Sequence, residues 1–451
     1  MPGGFPTRMS QQLRYRLSHA VETTSRPPIP QAYAWAERYK PTPGRPLLDM
    51  SQGVPGTPPP KIFLDTLSQT SANPQYCGYV PNAGEPALRK AVVEEMKVAY
   101  GEHVDLRMED VAITAGCNMA FAASIMTVAE SGDEVILPVP WYFNHEMTLT
   151  SLGIKPITLQ TFPEDGFLPS PEKCEHLITS KTKAIVLVTP NNPTGAIYPP
   201  SLLASFATLA RSRNIALILD ETYRDFLPAG SAPHYLFNPS KPSTSSTTSR
   251  AHDLPSDWVW RETLIHLFSF SKSYCIPGHR VGLICASPAL MPLLNIALDN
   301  IQICAPRPPQ MALAGMLDTL RPFVRSTAEA VRRRHEIFAQ SIQDRSNSSG
   351  WRWEIGAQGG YYAFVKHPFK DVSARDVCER LAVEMGVVTL PAGFFGPEHH
   401  GEDEADEMKG VDKRWIRFSV ANIDDEKVRL VCDRLGECVE KFGWAVESRT
   451  K

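Results

Sequence analysis

Six short apolar runs dominate the sequence between residues 111 and 286, each closed by turn residues and separated from the next by a stretch of helical character. They are VAIT (111–114), EVILP (134–138), KAIVLVTP (183–190), IALILD (215–220), LIHLFSFS (264–271) and VGLICA (281–286). Runs this continuous suit strands buried on both faces, and strands separated by helices pair in parallel. The expectation is an α/β fold: a mainly parallel sheet with helices on both faces. Open sheets of this kind bind ligands beyond the carboxyl ends of their strands. The residues that close each run are therefore the first candidates for function.

The chain has 451 residues, 43% of them hydrophobic, enough for one large core and a second smaller one. We assign 75–308 to the large domain and 309–451 to a smaller α+β domain. In the latter a long charged helical stretch (316–345) precedes the strand candidates WRWEIG, GGYYAFV and WIRFSV (415–420). Residues 1–45 are polar and proline-bearing and read as an N-terminal arm. Residues 46–74 read as the segment that joins the small domain, and 30–55 as its contribution from the N-terminal side. The stretch 238–257, NPSKPSTSSTTSRAHDLPSD, has no periodicity and reads as a mobile surface insertion. The stretch 397–410, PEHHGEDEADEMKG, reads as a solvated acidic loop, because its spacing matches no metal-ligand set.

Charge gives no reason to expect nucleic acid or a membrane surface: 46 basic against 49 acidic side chains leave a net charge of −3. No apolar run approaches the roughly 18–20 residues of a membrane span. Nine cysteines without a C-x-x-C pair suit reduced thiols in an intracellular compartment. The first 28 residues lack the apolar core of a secretory signal. A cytoplasmic protein is expected, with organellar import left open by the Arg and Ser residues there.

The segment SFSKSYCIPGHRVG (269–282) sets a lysine among hydroxyls, with a Pro-Gly turn and an arginine after it. Lys272 follows an apolar strand, so it would stand at a buried strand's end, where desolvation makes an amine a usable nucleophile. Ser269 and Arg280 supply the hydroxyl and guanidinium that a phosphate monoester takes. Asp220 closes another apolar run, and a carboxylate buried there needs a positive partner. In TPNNPTGAIY (189–198), Asn192 offers an amide at a strand's end. In TAGCNMAF (114–121), Gly116 turns the backbone so that the N–H groups of Cys117 and Asn118 make an anion site.

These residues resemble, in order along the chain from about Gly53 to Arg417, the class I/II aminotransferases of the fold-type-I, pyridoxal 5'-phosphate (PLP) enzymes. The resemblance is carried by YVPNAGEPALR (79–89), the T-x-G loop, PWY (140–142), N-P-T-G, D-E-x-Y, S-x-S-K with an arginine eight residues on, and R-x-S at 417–419. It implies that Lys272 forms the internal aldimine and shuttles the proton. It implies that Asp220 pairs with the pyridine nitrogen, that Tyr223 and Asn192 bond the phenolic oxygen, and that Tyr142 stacks on the ring, with Trp141 the alternative. Ser269, Arg280 and the backbone at Cys117 and Asn118 would hold the phosphate, with Ser271 behind them. Arg417 and the Gly53 backbone, with Asn192, would receive the substrate α-carboxylate. Tyr79 would reach the phosphate of a neighbouring subunit, which implies a homodimer with shared active sites.

The implied reaction is transfer of an amino group from an L-amino acid to a 2-oxo acid. The alternative on the same scaffold is a PLP-dependent lyase or synthase, resembling the 1-aminocyclopropane-1-carboxylate synthases. Tyr142, Tyr361, Tyr362, Phe394 and Phe395 are candidates for an apolar substrate pocket, or for core. No second arginine is assignable to a side-chain carboxylate. Two departures from the family pattern stand out: Cys117 and Asn118 in the T-x-G loop, and the long Asp220-to-Lys272 spacing that the 238–257 insertion creates.

Overall fold

The computed structural model describes residues 15–228, 230–238, 254–348, 352–397 and 413–447. Residues 239–253 of the insertion and 398–410 of the acidic loop lie outside the described residues. A seven-stranded sheet forms the large domain. Across it the strands run Val111–Thr114, Gly282–Cys285, Leu264–Ser269, Ala216–Asp220, Thr182–Val188, Glu134–Val139 and Lys155–Gln160. Gly282–Cys285 alone runs opposite to the other six strands. Six of the strands are the apolar runs of the sequence. The seventh, Lys155–Gln160, carries no such run: it is an edge strand, mostly half-exposed, paired in parallel with Glu134–Val139.

Alternation along each strand divides the core into two layers. Ile218 faces Phe121, Ile125 and Leu298, from helices Cys117–Val128 and Met291–Gln302. Leu217 and Leu219 face Leu88, Val92 and Phe206, from helices Pro86–Tyr100 and Pro200–Ser212. Each of these fully buried aliphatic side chains contributes on the order of 2 kcal/mol.

The smaller domain is a four-stranded antiparallel sheet, ordered Leu390–Pro391, Trp415–Ser419, Tyr362–Lys366 and Glu354–Gly359. Helices Leu317–Ser348 and Asp425–Phe442 supply Phe338, Val428, Val431 and Leu435 to its core. The N-terminal region is more structured than an arm. Ala32, Trp35 and Ala36 of helix Ile29–Ala36 are buried in this same core, because an aromatic and two small residues share one helical face. Segment 46–74 divides between the domains. Leu48 and Met50 join the small core, whereas Phe63 and Leu67 of helix Lys61–Ala72 join the large one. The large core also extends past residue 308, through Ala312 and Leu313 to Leu320.

Because Ser269, Gly282 and Thr114 are paired in register, three strands end at one level. Asp220 closes a fourth strand and Val188 the next, directly paired with each other. The small domain brings Tyr362 and Arg417 to this same edge.

Candidate active site

A cavity of about 260 Å³ lies at that edge, between the two domains. All the candidate site residues line it except Tyr79: Gly53, Cys117, Asn118, Tyr142 and Asn192 on one part of the wall, Asp220, Tyr223, Ser269, Lys272, Arg280 and Arg417 on the rest. Tyr79 is 80% exposed and stands away from it.

Lys272 sits in the single helical turn Phe270–Ser273, begun by Ser269, whose side chain accepts from the Ser271 N–H at 3.2 Å. Its Nζ donates to the Gly53 carbonyl at 2.5 Å. Burial, then the nearby Arg417 and Arg280, push its pKa down to about 8. Roughly one molecule in ten then carries a free amine at pH 7, against fewer than one in a thousand for an ordinary lysine.

Asp220 is buried, yet remains an anion. Burial pushes its pKa up, but His145 and the hydrogen bonds of Thr222 more than offset this, and it lies below the ordinary carboxylate range. Thr222 donates to Oδ1 through its N–H at 2.9 Å and its hydroxyl at 2.7 Å. The His145 ring stands 3.4 Å from Oδ2 and is stacked on Phe121, with centroids 4.0 Å apart. Neither His145 nor Thr222 is among the residues singled out from the sequence. His145 carries no signal there, being one polar residue of helix Phe143–Ser151.

At the other wall, the first N–H groups of helix Cys117–Val128 lack intrahelical partners, as they do at any helix start. Gly116 precedes them at φ +87°, and a Cβ there would lie 2.0 Å from the Arg280 guanidinium. A Cβ on Gly282 would lie 2.7 Å from the Gly116 backbone. The two glycines thus let Arg280, Ser269, Ser271 and a helix start converge on one small cradle. The Cys117 thiol is raised well above its ordinary pKa, first by burial and then by Asp220, so it stays protonated.

Arg417 is 2% exposed. Its Nη1 donates to Asn192 Oδ1 at 2.8 Å and its Nη2 to the Ser51 carbonyl. Its Nε has no hydrogen-bond partner, and no ion pair to it occurs among the described residues. A buried guanidinium with an unused donor is built to take an anion. Of the other aromatic candidates, Tyr362 lines the cavity, but Tyr361 and Phe395 are fully buried and Phe394 stacks on Trp35. Tyr361 and Phe395 are core, and Phe394 packs against it. Ile29, Val54 and Phe143 complete the apolar wall instead.

The model of the aminotransferase class I and II family matches residues 45–435. The chain belongs to this family. Its members depend on PLP, so this aminotransferase is a PLP-dependent transaminase. It is 28% identical over 405 residues to the arginine–pyruvate transaminase of Pseudomonas aeruginosa, covering 88% of this chain and 91% of the relative. It is 24% identical over 402 residues to an aromatic aminotransferase of Arabidopsis thaliana, covering 88% and 90%. Among solved structures, a variant of the Thermus thermophilus aspartate aminotransferase superposes with a TM-score of 0.77 at 23% identity, covering 94% of this chain and 99% of the other. Substrate-bound BacF of Bacillus subtilis gives 0.79 at 23%, covering 97% and 100%.

The residues present fit the cofactor. The Gly116–Arg280 cradle suits a phosphate, the buried Asp220 anion suits a protonated ring nitrogen, and the softened Lys272 amine suits an aldehyde. No helix among the described residues is long and apolar enough to cross a membrane.

Proposed function

We propose that Lys272 is the cofactor-linked lysine, and that this transaminase takes amino acids with large neutral side chains and passes their amino group to a 2-oxo acid. The observation that carries the substrate reading is the cation inventory of the cavity. Its described lining holds three cations, Lys272, Arg280 and Arg417. The first serves the aldehyde, the second the phosphate, and the third, with its unused Nε, the substrate α-carboxylate. None is left for a side-chain carboxylate, and the remaining wall, Ile29, Val54 and Phe143 with Gln52, is uncharged and mostly apolar. The relatives' names support transamination, and nothing favours the elimination or synthase alternative.

Bound PLP supplies an electron sink that stabilises charge at the substrate α-carbon. The protein's share is positional. Ser269, Ser271, Arg280 and the N–H groups of Cys117 and Asn118 hold the phosphate. The Asp220 carboxylate, fixed by Thr222 and His145, keeps a proton on the ring nitrogen. Tyr223 and Asn192 serve the phenolic oxygen, and Tyr142 covers the ring. Lys272 Nζ would take the substrate α-proton and hold it for return on the far side of the amino nitrogen. Arg417 and Gly53 fix the carboxylate so that this proton faces Nζ.

The exposed Tyr79 supports a homodimer in which it completes the neighbouring site, and the free cysteines suit a reducing, cytoplasmic compartment. The test is a single-turnover panel: the PLP-loaded enzyme mixed with one amino acid and no oxo acid. Phenylalanine, tyrosine, leucine and methionine are expected to release one oxo acid per subunit at least about tenfold faster than aspartate or glutamate. A preference for the dicarboxylates would refute the substrate reading, and release of ammonia would refute transamination.

A further inference from the structure

Tyr362 touches Tyr223, Arg417 and Gly53 together. It lies on strand Tyr362–Lys366 of the small domain, with its side chain 2% exposed at the cavity wall. Its hydroxyl is 2.8 Å from the Tyr223 hydroxyl. Its ring lies under the Arg417 guanidinium, whose Cζ is 4.5 Å from the ring centroid, and the Phe395 centroid lies 4.7 Å from the same Cζ. Its hydroxyl also packs against Gly53, where an added Cβ would fall 1.9 Å from it. Gly53 in turn holds Lys272 Nζ through its carbonyl. Strand Tyr362–Lys366 pairs with the strand that carries Arg417, so this placement is set by the sheet.

We propose that Tyr362 is a positioning residue for both halves of the site: its hydroxyl fixes where Tyr223 sends its proton, and its ring fixes the Arg417 fork for the substrate carboxylate. The proposal rests on the roles given above to Tyr223 and Arg417. Two phenols 2.8 Å apart must share one proton between them, one donating and the other accepting. Tyr223 is needed as a donor to the phenolic oxygen, so Tyr362 is the donor of the pair. A hydroxyl that accepts a hydrogen bond donates a stronger one. Burial raises the Tyr223 pKa well above the ordinary value, which keeps that proton in place. The ring acts separately. Arg417 is buried without an ion pair among the described residues, and the Tyr362 and Phe395 rings stabilise the cation while its Nε stays free for substrate.

Two variants separate the two contacts. Tyr362→Phe removes the hydroxyl and keeps the ring. Tyr362→Leu removes both, and Tyr362→Met replaces it if the leucine variant does not fold. Two readouts are taken on the PLP-loaded enzyme: the pH midpoint of its visible absorbance, and the Kd of 3-phenylpropanoate, an unreactive carboxylate. A donor on the phenolic oxygen weakens that oxygen's hold on a neighbouring proton, so losing the relay moves the midpoint upward. Tyr362→Phe is expected to raise it by about half a unit or more while leaving the Kd within about twofold. The leucine or methionine variant is expected to weaken 3-phenylpropanoate binding about tenfold. An unchanged midpoint in Tyr362→Phe, or an unchanged Kd in the ring-less variant, overturns the corresponding half. Tyr223→Phe is measured alongside. If it too leaves the midpoint unmoved, the reading of the site has failed and this inference with it. If it shifts while Tyr362→Phe does not, the inference alone has failed.

Discussion

Asp220 and Glu221 are adjacent carboxylates at the end of one strand, and they face opposite worlds. Asp220 lines the cavity, with Thr222 on one oxygen and the His145 ring near the other. Glu221 points the other way, into the core. There it accepts from the Tyr100 hydroxyl and lies 3.1 Å from His234 Nε2 and 3.0 Å from His266 Nε2. Burial raises both acids, and in both it is outweighed, by His145 and Thr222 for Asp220 and by His234 and His266 for Glu221. The chemistry is similar and the consequence is not. One carboxylate is left within reach of a ligand. The other is spent entirely on side chains of the protein.

The comparison breaks first at the cavity side. Lys272→Ala removes the nucleophile and the proton carrier together, so activity should fall at least about a thousandfold in a protein that still folds. Near-normal turnover would show that the cavity is not the catalytic site. Asp220→Ala should lower kcat roughly a hundredfold with its melting temperature little changed. If PLP is lost while kcat at saturating cofactor is normal, the role assigned to Asp220 is wrong.

Glu221→Gln should show the opposite pattern. It leaves Tyr100, His234 and His266 around a neutral amide, at a cost of about 3 kcal/mol in stability, seen in a denaturant melt, with kcat in the surviving fold changed far less. The sign of the pH effect follows from the depressed values. The folded pKa of Glu221 and that of His266 both lie below their unfolded ones, His266 through burial. Their stabilisation is therefore complete at neutral pH. It declines below about 6.5 as unfolded His266 gains a proton, and again below about 4.3 as unfolded Glu221 does. Glu221→Gln should remove the lower limb of that profile. A wild-type profile in the variant would mean that Glu221 is not the group responsible.

Gly116→Ala sharpens the comparison with the smallest effect. A methyl at φ +87° displaces Arg280, so PLP affinity should fall about tenfold while kcat with saturating PLP is retained. Unchanged affinity, read by fluorescence titration, would argue against the cradle.

The cavity side of this comparison was legible because its residues close apolar runs. Lys272, Asp220 and Asn192 each stand where a strand stops, and that position is visible in sequence. Glu221 also closes such a run, yet its partners Tyr100, His234 and His266 are scattered over more than 160 positions, and nothing local joins them. His145 escaped notice for the same reason, since its contact with Asp220 crosses from a helix to a strand. The strand Lys155–Gln160 was missed because an edge strand needs only one apolar face. Helix Ile29–Ala36 straddles the 1–45 arm and the 30–55 contribution to the small domain, and no local pattern marks it as a helix because it buries three residues against a partner over 300 positions away. Long-range pairing, rather than local pattern, is what the sequence withheld.

The central claim is that Lys272 holds the cofactor. Reduction of the PLP-loaded enzyme with borohydride, followed by peptide mass mapping, tests it directly. The account predicts a phosphopyridoxyl group on the peptide containing Lys272, in near one-to-one yield per chain, and none in Lys272→Ala. A label on a different lysine, or no label in an enzyme that turns over, would contradict it.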